Sequence, residues 1–165
     1  MHQIYAELLF RARRPARELR DEIAKELQRA HAYFAWPTTE ASSGAGAIDD
    51  SYFDHAQGVL GYLGYRVGMS GIPQGQRSDL LDHVYGNTLP PVNSREYMEQ
   101  WGEPSTAMRL RKMAESLAAF ARNAKRRNPR AMAAAIQDWE DDLRYLKKSY
   151  YTGRYAFLWP ETIAK

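Results

Sequence analysis

Between Pro104 and Arg130 the chain carries eight cationic side chains, Arg109, Arg111, Lys112, Arg122, Lys125, Arg126, Arg127 and Arg130, against one acid, Glu115. Guanidinium and ammonium groups at this density suit polyanions. Arginine forks match phosphate oxygens, and each neutralised phosphate releases condensed counterions. Position along a predicted helix divides the set. Arg109, Arg111 and Lys112 fall in its first two turns, where the recognition helix of a helix-turn-helix reads base edges in DNA. Arg122, Lys125, Arg126, Arg127 and Arg130 fall toward its end and suit phosphate contact. The competing reading is a solvated face whose last-turn cations complement the helix macrodipole. A smaller cluster, Arg11, Arg13, Arg14, Arg17 and Arg20, faces only Glu18. The whole chain is only +3, so the uneven distribution, not the total, hints at a polyanionic partner.

Other constellations point to less. Asp138, Glu140, Asp141 and Asp142 form an acidic knot. On a helix, Asp138 and Asp142 share a face, Asp141 lies farther round and Glu140 points away. Two convergent carboxylates with no nearby histidine make a poor zinc site and an incomplete magnesium site. Pairing with arginines of the preceding helix or of a second copy explains them as well, and no metal is expected. The histidines His2, His31, His55 and His83 have no i,i+4 or HExxH spacing. Gly58, Gly61, Gly64, Gly68, Gly71 and Gly75 make a glycine series, but GVLGYLG is not GxGxxG and no P-loop lysine follows. The first three are expected on one helical face, allowing close backbone approach, and the last three in a turn. No GxSxG elbow occurs. Catalysis therefore has no positive signal, no catalytic residue or cofactor is assigned, and an enzyme would need residues converging from distant positions. Tyr145, Tyr150, Tyr151 and Tyr155 lie near the basic segment, where aromatics can stack bases or simply pack.

The elements that must position these groups read as helices. Pro15 opens one in which Ala16, Leu19, Ile23, Leu27, Ala30 and Phe34 recur at spacings of three and four, ending near Trp36. Residues 37–50 are small, polar and aperiodic, a flexible linker, and the main helical body follows from residue 51 to 165. A helix through Phe53, Ala56, Val59, Leu60 and Leu63 is expected first, then one from Gln76 to about Tyr85, stopped by Gly86-Asn87. Ser94 caps a brief helix ending at Trp101-Gly102. Pro104-Ser105 opens the basic helix, with Leu110, Met113, Leu117, Phe120 and Ala124 on its apolar face and a stop at Asn128-Pro129. The next helix carries Met132, Ile136, Trp139, Leu143, Leu146 and Tyr150. So short a break predicts an antiparallel hairpin, with Trp139 against Phe120 or Leu117. The aromatic tail, with Tyr155, Phe157 and Trp159, is expected to fold back over it.

The fold class is all-α, a single helical domain of 165 residues formed as a compact bundle. With 44% hydrophobic and 26% charged residues the chain can bury a core, and with no cysteine it excludes disulfides, thiolate metal sites and cysteine nucleophiles. No apolar run is long enough to span a bilayer, and arginines stand where a signal peptide's apolar region would be, so a cytoplasmic location is expected. The segments LGYRVGMSGIPQGQRSDLLDHVY, EYMEQWGEPSTAMRLRKMAESLAAFARNAKRR and DWEDDLRYLKKSYY resemble a group of uncharacterised bacterial proteins sharing these words, over roughly residues 60–160. The resemblance implies a bacterial setting and assigns no functional residue. The expected function is nucleic-acid binding through the basic helix. The alternative is a protein–protein interaction module, or a subunit of a larger assembly, whose basic face meets an acidic partner such as residues 138–142 of a second copy in a homodimer.

Overall fold

The computed structural model describes Asp54 and residues 58–164; the expected N-terminal helices and the 37–50 linker lie outside the described residues. Those described form five α-helices and no strand: α1 (Gly58–Tyr62), α2 (Gln74–Gly86), α3 (Arg95–Glu99), α4 (Ala107–Arg127) and α5 (Ala133–Leu146), the last running into a π-helical turn (Lys147–Tyr151). The all-α class expected from the sequence is the class found.

Local chemistry sets most boundaries. Pro73 precedes α2, and its carbonyl accepts from the Arg77 N–H. The helix ends at Asn87, whose backbone N–H and Nδ2 both donate to the His83 carbonyl. Thr106 caps α4: its Oγ1 accepts from the Arg109 N–H at 3.3 Å and donates to the Glu103 carbonyl at 2.7 Å. The Asn128-Pro129 stop falls where expected, and Asn128 Oδ1 then accepts from Ala131 N–H, carrying the chain into the next helix.

The long amphipathic helix α4 forms the centre of the core. It buries Leu110, Met113, Ala114, Leu117, Ala118, Ala121 and Ala124. Its alanines let neighbours approach closely, while Leu110, Met113 and Leu117 supply apolar area worth about 1.5–3 kcal/mol each. α4 and α2 both pack against α5. Phe120 meets Trp139 at 5.9 Å between ring centroids, the contact the sequence suggested. From α2 come Leu80, Leu81 and Val84, all buried.

The first glycines behave differently from expectation. α1 stops at Tyr62, and Gly64 has φ +91 with open space where a Cβ would stand. Gly64 thus turns the chain out of the helix, and close packing does not explain it. Gly71 lies in a tight turn, where a Cβ would meet Val67 backbone atoms at 2.7 and 2.8 Å.

Candidate nucleic-acid interface

The two ends of α4 place their cations in opposite environments. Arg109, in the first turn, is 2% exposed. Its Nε donates to Trp101 O at 3.0 Å, Nη1 to Val84 O at 2.6 Å and Asn87 O at 2.9 Å, and Nη2 to Gly102 O at 2.6 Å. The guanidinium therefore ties the end of α2 and the turn after α3 to the start of α4. Burial pulls it down to about 10, still charged at neutral pH, and Glu103 works in the opposite sense. This corrects the expectation that Arg109 contacts a nucleic-acid groove. A side chain enclosed by carbonyls cannot reach a base, and the first turn of α4 is a core element.

The remaining cations grade from engaged to open. Arg111 is exposed and pairs with Glu115 one turn on, at 2.7 Å. Lys112 donates to Gln100 Oε1 at 2.7 Å and sits 6.0 Å from the Tyr97 ring centroid. Arg122 Nη1 donates to the Glu161 carbonyl at 2.5 Å. Lys125 bridges Glu140, at 2.5 Å, and the Thr162 carbonyl, at 3.0 Å. The tail thus folds back, as expected, onto the end of α4. Arg126 is exposed and donates to Asn123 Oδ1 at 2.6 Å, with no carboxylate partner among the described residues; Arg127 and Arg130 are exposed as well. No acidic residue occurs from Ser116 to Gln137, so the α4–α5 junction is purely cationic in sequence.

The acidic knot answers to other partners inside the chain. Asp142 is fully buried, and its Oδ2 accepts from Arg77 Nε at 2.7 Å and from the Tyr65 hydroxyl at 2.6 Å. Asp138 pairs with Arg77 Nη2 at 3.1 Å and accepts the Gly68 N–H at 2.8 Å. Gly68 has φ +79, and a Cβ there would meet the Ala135 Cβ at 3.3 Å, so the loop can reach this carboxylate most easily as glycine. Arg77 also donates to Ile72 O at 3.0 Å. One guanidinium on α2 thereby joins the glycine loop to α5. Burial pushes Asp142 above the usual carboxylate range despite its donors. Burial and the adjacent Asp142 charge together raise Tyr65 strongly.

Glu140 faces away, as helical geometry required. It is held below the carboxylate range first by the Lys125 hydrogen bond, with Thr162 adding to it. Asp141 accepts from Gln137 and Arg144. Every acid of the knot thus has a partner within the chain, and among the described residues no group of three His, Asp or Glu could hold a metal ion.

A tyrosine cluster braces the opposite end of α5. Tyr145 and Tyr150 both donate to Asp82 on α2, each at 2.7 Å. Burial, then the Asp82 hydrogen bond, pushes Tyr145 up to about 12. Tyr85 and Tyr155 share a hydroxyl contact of 2.9 Å and both donate to Ser105 O. The hydroxyls of these tyrosines serve as structural donors.

Among the described residues, open cavities mark the surface in three places that bear on the site. One of about 640 Å³ lies between α3 and the start of α4, with Glu99, Glu103, Met98 and Met108 in its wall. The other two flank the tail. A cavity of about 420 Å³ faces α5 through Glu140, Arg144 and Lys147, and one of about 480 Å³ lies between Arg122 and Arg126 of α4 and Leu158, Trp159 and Ile163. The sequence alone assigns the tail no function; its signal is the density of aromatic residues, Tyr155, Phe157 and Trp159. No helix among the described residues is long and apolar enough to cross a membrane. Compared with family models, curated proteins and solved structures, the chain matches none.

Proposed function

We propose that this protein binds nucleic acid through phosphate contacts made by the exposed end of α4. Arg126, Arg127 and Arg130 are the principal contacts, with Arg122 and Lys125 at the margin. The observation that carries the reading is the exposure of these three arginines, none paired with a carboxylate among the described residues, at a junction without an acid for twenty-two residues. Exposed like charges held together in this way repel one another, and a phosphate backbone relieves that repulsion. The reading includes a cytoplasmic location. Arg111 and Lys112 belong to a separate, internally engaged patch, so recognition of a groove by the first turns of α4 is not part of it.

The alternative partner, the 138–142 region of a second copy, is disfavoured because Arg77, Lys125, Gln137 and Arg144 already engage those carboxylates. The test is charge reversal, Arg126→Glu with Arg127→Glu, followed by fluorescence anisotropy with labelled oligonucleotides. Affinity is expected to fall whatever the sequence of the oligonucleotide. Unchanged affinity in the double variant overturns the reading.

A further inference from the structure

The cavity of about 480 Å³ beside the proposed phosphate site is walled on one side by cations and on the other by mostly apolar groups. Arg122 and Arg126 stand one turn apart on α4, and Leu158, Trp159, Pro160 and Ile163 face them from the tail, where Glu161, whose carbonyl accepts from Arg122, adds one acid to the lining. Such a wall suits a ligand with an anionic edge and a flat apolar body. Three features point to a base. Trp159 is half-buried, held in a ring cluster with Tyr151 at 4.9 Å and Phe157 at 6.0 Å, so its indole is presented without having to be ordered on binding. Leu158 is 94% exposed and Ile163 64% exposed, apolar surface that a ligand would cover. Arg126 belongs at once to this cavity and to the proposed phosphate site, so a backbone held by Arg126 and Arg127 runs past the mouth of the cavity.

We infer that this cavity receives an unpaired base stacked beside Trp159, which makes the nucleic acid recognised by α4 single-stranded. The inference rests on the phosphate-binding reading and deepens it. A duplex keeps its bases stacked inside and can offer the cavity nothing but backbone, whereas a single strand offers a π-face at every nucleotide. The preference this creates is for strandedness, not for sequence.

The experiment compares a labelled twelve-nucleotide oligothymidine with a duplex of the same length at one fixed salt concentration. The full chain and the variants Leu158→Glu, Trp159→Ala and Trp159→Phe are titrated by anisotropy. Leu158→Glu is the decisive variant, because a side chain so exposed can be changed without disturbing the core. The wild type is expected to bind the single strand about tenfold more tightly than the duplex. Leu158→Glu and Trp159→Ala should each lose most of that advantage while duplex affinity stays within about twofold for Trp159→Ala; Trp159→Phe, which keeps a ring, should retain part of it. Quenching of tryptophan fluorescence by the oligothymidine, present in the wild type and diminished in Trp159→Phe, reads the stack directly. Equal affinity for duplex and single strand, or single-strand affinity unchanged in both Leu158→Glu and Trp159→Ala, overturns the base-binding inference and leaves the phosphate site standing. Binding of neither oligonucleotide even at low salt overturns the phosphate site itself.

Discussion

Arg109 and Arg126 stand on one helix, belong to the same basic run in the sequence, and have opposite surroundings. Arg109 is enclosed by four carbonyl oxygens from the end of α2 and the turn after α3. Arg126 is exposed and, among the described residues, bonds a neighbouring asparagine of its own helix and no carboxylate. The difference is one of location along α4. Its first turn lies where α2 ends, and the last carbonyls of a helix lack intrahelical donors and attract a cation. Its last turn precedes the Asn128-Pro129 stop and carries exposed cations. Charge density in a sequence marks where cations are, and the fold decides which of them remain available.

That contrast is broken most severely at the buried end. Arg109→Met should destabilise the protein by on the order of 5 kcal/mol, since several buried carbonyls lose a charged donor at once. Chemical denaturation would check it, and a loss under about 1 kcal/mol would mean water replaces the guanidinium. Arg77→Met should cost about 3–5 kcal/mol by leaving the Asp142 carboxylate buried without its cation, again read by denaturant midpoint. At the exposed end, Arg126→Glu with Arg127→Glu should leave stability within about 0.5 kcal/mol, the usual range for surface changes, while reducing nucleic-acid binding. A stability loss comparable to that of Arg109→Met would erase the distinction between the two ends.

The smallest expected effect sharpens the structural side. The Tyr145 phenol, pushed up to about 12, must stay protonated to donate to Asp82. A group whose folded value is raised contributes stability that is complete below its unfolded value, near 10, and is lost as pH rises through 12. Thermal midpoints should therefore drop across that alkaline window, and drop less in Tyr145→Phe, which has no such proton to lose. An identical decline in both proteins would contradict the assignment.

Much of the fold was legible because helix signals are local. The stops at Gly86-Asn87 and Asn128-Pro129, the apolar face of α4 and the Phe120–Trp139 contact all follow from spacing and turn chemistry. Helical geometry also placed Asp138 with Asp142 and turned Glu140 away from them. What could not be read was the identity of partners distant in sequence. Arg77 is sixty-five residues from Asp142, and nothing in the α2 sequence marks it as the cation that joins the glycine loop to α5. Arg109 failed for the same reason, because its acceptors come from two separate places along the chain, the end of α2 and the turn after α3. The tail's position over Arg122 and Lys125 rests on backbone carbonyls of Glu161 and Thr162, groups every residue possesses.

The most direct test of the account is the salt dependence of binding, measured by anisotropy for the wild type and for Arg126→Glu with Arg127→Glu. With a single-stranded oligonucleotide, log affinity of the wild type is expected to fall linearly with log salt, and the slope of the double variant to be shallower by about 1.4, roughly 0.7 for each phosphate contact removed. Equal slopes in the two proteins, or no binding by the wild type at low salt, would contradict the claim that the exposed end of α4 holds phosphate.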